Sequence, residues 1–316
     1  RFNHNILQGG YDGFFLNAGS LTDTGLVYID SNVINGTYRS AIYLYYANPY
    51  VRGNECYQRS AAASPWYGIW LRYGGYGEVC NNKIKSYNKS GRTEGINLGA
   101  LGRANTPILV ANNEIMAYSI ASDNGIATNT GTCHIDFINN SIHCESGSIG
   151  MRGIQVHNDA HSHFTIRNNN IFIIGNNSYP LYLNGTIANQ CDIANNNQWS
   201  SVSNLASVNG VDIKTEAEWL AVIPTEEKVI SILPNWADST ISLNLNSFAG
   251  LDCPRWTSVK RDKNGNIRLF STTRGAYNKP LDNLDLALME IQGWSTDSFG
   301  GAQANIQVDR KSTRLN

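Results

Sequence analysis

The sequence has few charged residues and few long apolar runs. Charged side chains make up 16% of the 316 residues, and the formal net charge is −1. No basic run alternates with aromatic residues, so nothing in the chain predicts a nucleic acid or an anionic membrane as a partner. No apolar stretch is long enough to be a transmembrane segment. The 41% hydrophobic content and the 29 glycines instead predict a turn-rich β protein with a large core.

The cysteines also exclude one kind of site. The six of them lack the paired spacing of a zinc site. Cys56 falls in one of the apolar columns described below, and Cys191 lies two residues before another such position, which predicts buried free thiols. In a secreted protein, a disulfide between Cys133 and Cys144, or between Cys80 and a neighbour, is the alternative.

An asparagine recurs about every 27 to 31 residues through the first two thirds of the chain, with one shorter interval between Asn32 and Asn54. A repeat of this length is typical of solenoids, in which each repeat forms one coil and stacks on the next. The repeating asparagines are Asn5, Asn32, Asn54, Asn82, Asn113, Asn140, Asn169 and Asn196.

Apolar residues keep fixed positions relative to these asparagines, three residues before and two residues after. Both columns predict strands with one buried face, because alternate residues of a strand share a face. Asparagine tolerates the left-handed backbone of a tight bend, and its amide can bond the asparagine of the next coil, so we predict a structural asparagine ladder between the two strands. The first column holds Phe2, Ile29, Val51, Val79, Val110, Phe137, Ile166 and Ile193; the second holds Leu7, Ile34, Cys56, Ile84, Ile115, Ile142 and Ile171, and is broken by Gln198.

A further strand repeats in step with the first two, as a small residue followed by an apolar, a variable and an apolar residue. One coil cannot bury its inward side chains, worth roughly 1.5 to 3 kcal/mol each, unless neighbouring coils cover them. Stability is therefore expected to come from stacking. The copies begin at Gly13, Ala41, Gly68, Gly95, Gly125, Gly153 and Pro180.

Over residues 1–199 this pattern resembles the right-handed parallel β-helix, the pectate-lyase-like fold. The resemblance implies an all-β solenoid. Members of that family include polysaccharide lyases, glycoside hydrolases, phage tailspikes and non-catalytic surface adhesins, so the fold alone does not select an activity. Because Phe2 already occupies an inward column, we expect that coils are missing before residue 1.

Residues 200–280 lose the repeat and are predicted to form an irregular cap over the open end of the solenoid; an independent small domain is the alternative. The run from Asp262 to Arg268, followed by Arg274-Gly275-Ala276-Tyr277, resembles the closing region of secreted bacterial mosaic proteins, although Asn278 replaces an acidic residue of that motif. Residues 281–308 alternate apolar and polar, like the start of a truncated Ig-like β-sandwich. Residues 309–316 resemble a translated sequencing adapter. The resemblance implies a fragment of a larger protein, secreted or anchored at the cell surface.

The outward positions of the third strand are rich in aromatic and amide side chains. Tyr43, Tyr45, Trp70 and Arg72 predict a glycan-binding groove, because aromatic rings stack on sugars and polar groups bond hydroxyls. The alternative is an aromatic ladder that only stabilises neighbouring strands.

Catalysis would need other residues. Hydrolysis by this fold requires two carboxylates, and the central outward columns contain none. Glu94 and Asp123, placed in turns, and Arg152 and His157, near the same face, are the catalytic candidates for a lyase or hydrolase. No cofactor is predicted unless a divalent cation binds to alternate residues of one loop. The metal candidates are His157, Asp159, His161 and His163, and a solvated loop is the alternative.

We therefore expect a secreted or surface-anchored, adhesin-like β-helix that binds or displays itself toward a polysaccharide or cell-surface glycan without catalysis. The alternative is a polysaccharide lyase or glycoside hydrolase acting on the outer face. The sequence does not predict the oligomeric state.

Overall fold

A computed structural model describes most of the chain, and its described residues up to Lys279 form one compact unit. The predicted sandwich segment 281–308 and the predicted adapter segment 309–316 lie outside the described residues. The structure describes residues 1–20, 25–60, 62, 65–87, 91–119, 124–129, 131–157, 161–184, 190–223 and 229–280.

Short parallel strands dominate the first 200 residues, three in each coil. In chain order they are β1 (Phe2–Asn3), β2 (Ile6–Gln8), β3 (Asp12–Asn17), β4 (Gly25–Asp30), β5 (Val33–Thr37), β6 (Ser40–Tyr45), β7 (Ala47–Arg52), β8 (Glu55–Gln58), β9 (Trp66–Gly74), β10 (Glu78–Cys80), β11 (Lys83–Lys85), β12 (Thr93–Leu101), β13 (Ile108–Ala111), β14 (Glu114–Ser119), β15 (Asn124–Thr128), β16 (His134–Ile138), β17 (Ser141–Ile149), β18 (Arg152–His157), β19 (His163–Arg167), β20 (Asn170–Asn176), β21 (Tyr179–Asn184), β22 (Cys191–Ala194) and β23 (Asn197–Ser200).

The strands form three parallel sheets. Sheet I joins every third strand from β1 to β22, sheet II every third strand from β2 to β23, and sheet III every third strand from β3 to β21. The predicted all-β solenoid is confirmed. The predicted columns are also in register: Val79 pairs with Val51 and Val110 in sheet I, and Ile84 pairs with Cys56 and Ile115 in sheet II.

The inward columns make one continuous apolar core. Side chains such as Val51, Ile84 and Ile126 are fully buried. All six cysteines are buried and free, Cys133 and Cys144 included, so the prediction of buried thiols is confirmed and the alternative disulfide is not formed.

The asparagine ladder occurs as predicted. Asn113, fully buried, accepts from the backbone and side-chain amides of Asn82, each at 3.0 Å, and donates to Val79 O at 2.8 Å and to Asn140 Oδ1 at 3.0 Å. The same arrangement repeats from Asn5 to Asn196. Each rung therefore satisfies buried backbone groups at the corner between sheets I and II.

The residue before each ladder asparagine takes the left-handed conformation that makes the corner. In the last five coils this residue is also an asparagine, whereas in the first three coils another residue holds the position. All have φ between 52° and 62°: His4, Ser31, Gly53, Asn81, Asn112, Asn139, Asn168 and Asn195. Asparagine is among the non-glycine residues that tolerate this backbone best.

In most strands of sheet III, a small residue precedes the first of the two apolar residues, because there is little space for a side chain at this position. A Cβ on Gly68 would lie 2.3 Å from Ile84 Cγ2 and 2.5 Å from Gly95 O of the next coil. Gly68 has no partner in the strand register, which pairs Tyr67 with Glu94 and then Ile69 with Ile96. Gly68 and Ile69 therefore both face the core. Strand alternation therefore shifts by one position at each copy.

After the coils, the core is closed by a hairpin and a helix. Strands β24 (Ala206–Val208) and β25 (Val211–Ile213) pair antiparallel at the end of sheet III. Helix α1 (Glu216–Val222) begins at Thr215, which forms a capping box with Glu218. The buried Trp219 of this helix joins the solenoid core.

Residues 229–279, which we call the side segment, lie along the outside of the coils. Strands β26 (Asn235–Asp238) and β27 (Ser242–Ser247) form one hairpin, and β28 (Asp252–Pro254) pairs with β29 (Ser271–Thr273). Within the predicted cap of residues 200–280, residues 200–223 are therefore the part that covers the open end. The side segment instead follows the corner between sheets I and II.

The side segment docks on the five coils that carry the doubled asparagine. Lys263 Nζ donates to Asn81 O at 2.6 Å, and the Asn168 amide donates to Pro254 O at 2.8 Å. Arg268, fully buried, donates to Asn112 Oδ1 at 2.9 Å. The corner residues therefore have a second role that the repeat alone does not reveal. Within the described residues, no helix has the length and apolarity needed to cross a membrane.

Candidate functional site

The outer face of sheet III carries the predicted site. The hydrogen bonds that we trace from the side segment to the coils end on sheet II and on the corner between sheets I and II, away from this face. The strand register confirms the two predicted outward columns, since Tyr43 pairs with Trp70 and Gln155 with Tyr182 in one, and Tyr45 pairs with Arg72 in the other.

A third outward column was missed. Because two consecutive residues face the core at each glycine, the residue before the glycine points outward again. This column holds Asp12, Ser40, Tyr67, Glu94, Asn124, Arg152 and Tyr179. The signal for this column in the sequence is the glycine that precedes an apolar residue, because the strand does not alternate strictly through that glycine.

In the first coils, the aromatic side chains of this face stack on each other. The Trp70 ring lies 4.2 Å from Tyr43 and 4.3 Å from Tyr67, with interplanar angles of 11° and 19°. Two rings this close and this parallel to one indole occupy its opposite faces. Neither face of Trp70 is then open to a sugar. In this part of the predicted groove, the rings instead form the aromatic ladder that stabilises neighbouring strands.

An arginine closes the other end of the stack. The Arg39 guanidinium lies 5.2 Å from the Tyr43 ring centre and 4.8 Å from that of Tyr11. Its Nε donates to Asp12 Oδ1 at 3.0 Å, and this hydrogen bond raises the pKa of Arg39. Asp12 also accepts from the Ser40 hydroxyl. Asp12 is therefore fully engaged in an ion pair.

Tyr45 and Arg72 lie at the edge of this aromatic cluster and remain partly exposed. Tyr45 makes edge-to-face contacts with Tyr43 at 6.2 Å and with Tyr73 at 5.1 Å. The Arg72 guanidinium lies 5.9 Å from the Tyr45 ring centre and 5.5 Å from that of Tyr73. These two residues, rather than Trp70, present groups that a ligand can reach.

The centre of the face is a buried polar network. Glu94 lies within β12 and is 3% exposed, so its predicted position in a turn is wrong. Its carboxylate pairs with Arg92 and accepts from the Asn97 amide, and Asn129 Nδ2 donates to Asn97 Oδ1 at 2.7 Å. Both carboxylate oxygens thus face N–H donors.

A second accessible patch follows in the last coils. Arg152 Nη1 donates to Gln155 Oε1 at 2.8 Å, and its guanidinium lies 3.8 Å from the Tyr182 ring centre. Burial lowers the pKa of Arg152. His157 lies at the end of β18 with part of its side chain exposed. Its partial burial, and to a smaller extent the nearby Arg152 charge, lowers the pKa of His157. Tyr179 donates to Asp212 at 2.7 Å, and its pKa is raised to about 12, mainly by burial.

The structure separates the predicted metal ligands. His157 ends a strand of sheet III, whereas His163 begins β19 in sheet I, where it pairs with His134. His161 lies in the turn between them, and Asp159 is outside the described residues. Among the residues that the structure describes, no group of three or more histidines, cysteines or acids is placed to hold a metal ion.

The carboxylates of the face are too far apart for hydrolysis. Asp12 and Glu94 share a column but are separated by three strand spacings, about 14 Å. The two acids of a glycosidase lie about 5 to 9.5 Å apart. The third candidate acid, Asp123, is outside the described residues. The described face therefore provides arginines, tyrosines and amides, but no catalytic pair of acids.

Three stacked parallel sheets, an internal asparagine ladder and one polar outer face define the class: the chain is a parallel β-solenoid. Comparisons with protein-family models, with curated proteins and with solved structures give no match.

Proposed function

We propose that the outer face of sheet III binds an extended glycan without cleaving it. On this proposal the chain is an adhesin-like, pectate-lyase-like β-helix protein that is secreted or displayed at the cell surface. The observation that carries it is the pair of accessible patches on one face, each of which combines an arginine with tyrosines. Arg72 and Tyr45 form the first patch, and Arg152, Tyr179 and Tyr182 form the second.

The composition of the patches supports a carbohydrate ligand. Tyrosine offers an apolar ring for a sugar ring and a hydroxyl for hydrogen bonding, and arginine offers several N–H donors. His157 and Asn184, which pair across neighbouring strands beside the second patch, add further polar groups. Both patches lie on strands of one sheet, so a long ligand can contact them together.

The shape of the face supports a polymer rather than a single sugar. The first patch lies on β6 and β9, and the second on β18 and β21. The strands stack about 4.8 Å apart along the solenoid axis. A monosaccharide contacts one patch only, whereas an extended chain reaches both.

Affinity electrophoresis of the full chain in gels containing neutral or acidic polysaccharides tests this proposal. Tyr45→Ala and Tyr182→Ala should each reduce retardation, because each removes one accessible ring. Tyr87→Ala is the matched control, since Tyr87 is an exposed tyrosine beside sheet II. Retardation by no polysaccharide, or equal losses in all three variants, would refute the proposal.

A polysaccharide lyase is the second candidate. The specific observation in its favour is Arg152, whose pKa is lowered by burial and which lies in the same column as Glu94, two strands away. Mass analysis of products from the same polysaccharides, with calcium and zinc present, separates the two functions. Unsaturated products that disappear in Arg152→Ala or His157→Ala would identify the protein as a lyase rather than a glycan-binding protein without catalysis.

A further inference from the structure

Two arginines on the outer face of sheet III form no salt bridge in the described part of the chain. Arg72 contacts the rings of Tyr45 and Tyr73, and Arg152 contacts the neutral Gln155 and Tyr182. Other arginines of the same face are compensated, since Arg39 pairs with Asp12 and Arg92 with Glu94. A guanidinium without a carboxylate partner is suited to bind a carboxylate or sulfate of a ligand.

These two arginine charges lie far apart. Arg72 is near the end of β9, whereas Arg152 is at the start of β18, three strands further along the axis. With strands about 4.8 Å apart and residues about 3.3 Å apart along a strand, the two Cα atoms are about 20 Å from each other on the diagonal. Several sugar units are needed to span this distance.

The region between them is electrically neutral and carries no free cation among the described residues. Glu94 is compensated by Arg92, and Asn97, Asn124 and Ala127 are uncharged and almost fully buried. An anionic group held above this region would lie near the Glu94 carboxylate and would find no partner. Such a group is therefore disfavoured between the two arginines.

We infer that the glycan of this face carries widely spaced anionic groups, with neutral sugars between them. One anionic group pairs with Arg72 and the next with Arg152, while the intervening sugars cross the neutral centre. This inference rests on the proposed function and specifies its ligand class. It also predicts discrimination against polymers that are charged on every sugar.

Isothermal titration of the full chain with three oligosaccharides of equal length tests the inference. The probes are gellan fragments, which carry one uronate in each four-sugar repeat, polygalacturonate, which is charged on every sugar, and neutral cello-oligosaccharides. Gellan fragments should bind most tightly, and Arg72→Gln and Arg152→Gln should each weaken their binding about tenfold or more. Arg167→Gln, which changes the charge equally but lies on sheet I beside Asp192, should leave binding unchanged.

The outcomes separate this inference from the proposed function. If neutral and gellan oligosaccharides bind equally, and neither arginine variant changes the affinity, the face binds glycans but the inference is wrong. If polygalacturonate binds as tightly as gellan fragments, the neutral centre does not discriminate, and the inference is also overturned. If no probe binds and no polysaccharide retards the chain, both the inference and the proposed function fail.

Discussion

Asn113 is the rung of the asparagine ladder whose replacement tests the fold most directly. Its side chain accepts two hydrogen bonds from Asn82 and donates two more, to Val79 O and Asn140 Oδ1, all at a fully buried position. Asn113→Ala removes all four and leaves buried donors and acceptors on two neighbouring coils without partners. At about 1 kcal/mol for each bond, with a further penalty for the unsatisfied groups, we expect a loss of about 3 to 5 kcal/mol.

Asn5 provides the matched control. It is an exposed rung at the start of the ladder, where it donates to Asn32 Oδ1 at 2.8 Å and to Asn3 O at 3.1 Å. Asn5→Ala should therefore cost less than about 1 kcal/mol. The assay is urea unfolding of both variants followed by circular dichroism, with the slope against urea checked for a change in the cooperative unit. A loss below about 1 kcal/mol for Asn113→Ala, or equal losses for both variants, would refute the assigned role of the ladder.

Three further predictions concern the side segment, the core and pH. A Cβ on Gly275 would lie 2.6 Å from Ser141 Oγ, so Gly275→Ala should speed proteolysis within residues 229–279. Gly265→Ala is the control, because Gly265 also has a positive φ but a Cβ there would meet nothing within 4 Å. Equal cleavage of the two variants would contradict the prediction. Gln198→Leu removes two buried amide atoms that have no partner among the described residues and should raise the free energy of unfolding by about 1 to 3 kcal/mol, so a decrease in urea unfolding contradicts it. Burial lowers the pKa of His143 to about 4, so stability present above pH 6.5 should fall by about 3 kcal/mol as the pH drops to 4, and His143→Phe should flatten unfolding curves measured across that range. An unchanged slope in His143→Phe would assign the pH dependence to other groups.

The coils were predictable because the same local requirement recurs in each of them. Every corner needs a residue that tolerates left-handed backbone, followed by a side chain that bonds the next coil. The second need selects asparagine in every coil, and the first selects it in the last five. Val79 and Ile84 flank Asn82 at the offsets that strand geometry imposes, and the structure confirms their register. Repetition turns a weak local preference into a strong signal.

The candidate site was predicted only in part. Tyr43, Trp70 and Arg72 face outward as expected, but the mutual stacking of the rings depends on side-chain conformations that the pattern does not specify. Glu94 was misplaced because the strand does not alternate at Gly95, where a side chain would meet the backbone of the next coil.

By itself, the sequence determined the three parallel sheets, the ladder and two of the three outward columns, because each depends on residues within one coil and its neighbours. Only the tertiary structure decided where residues 229–279 lie, since their contacts join residues as far apart as Lys263 and Asn81. It likewise decided which polar groups are buried: Glu94 is enclosed by donors at the centre of the face, whereas Arg72, on the same surface, has no acidic partner in the described residues. Burial and pairing of these polar groups depend on the assembled surface, so the repeat within one coil does not encode them.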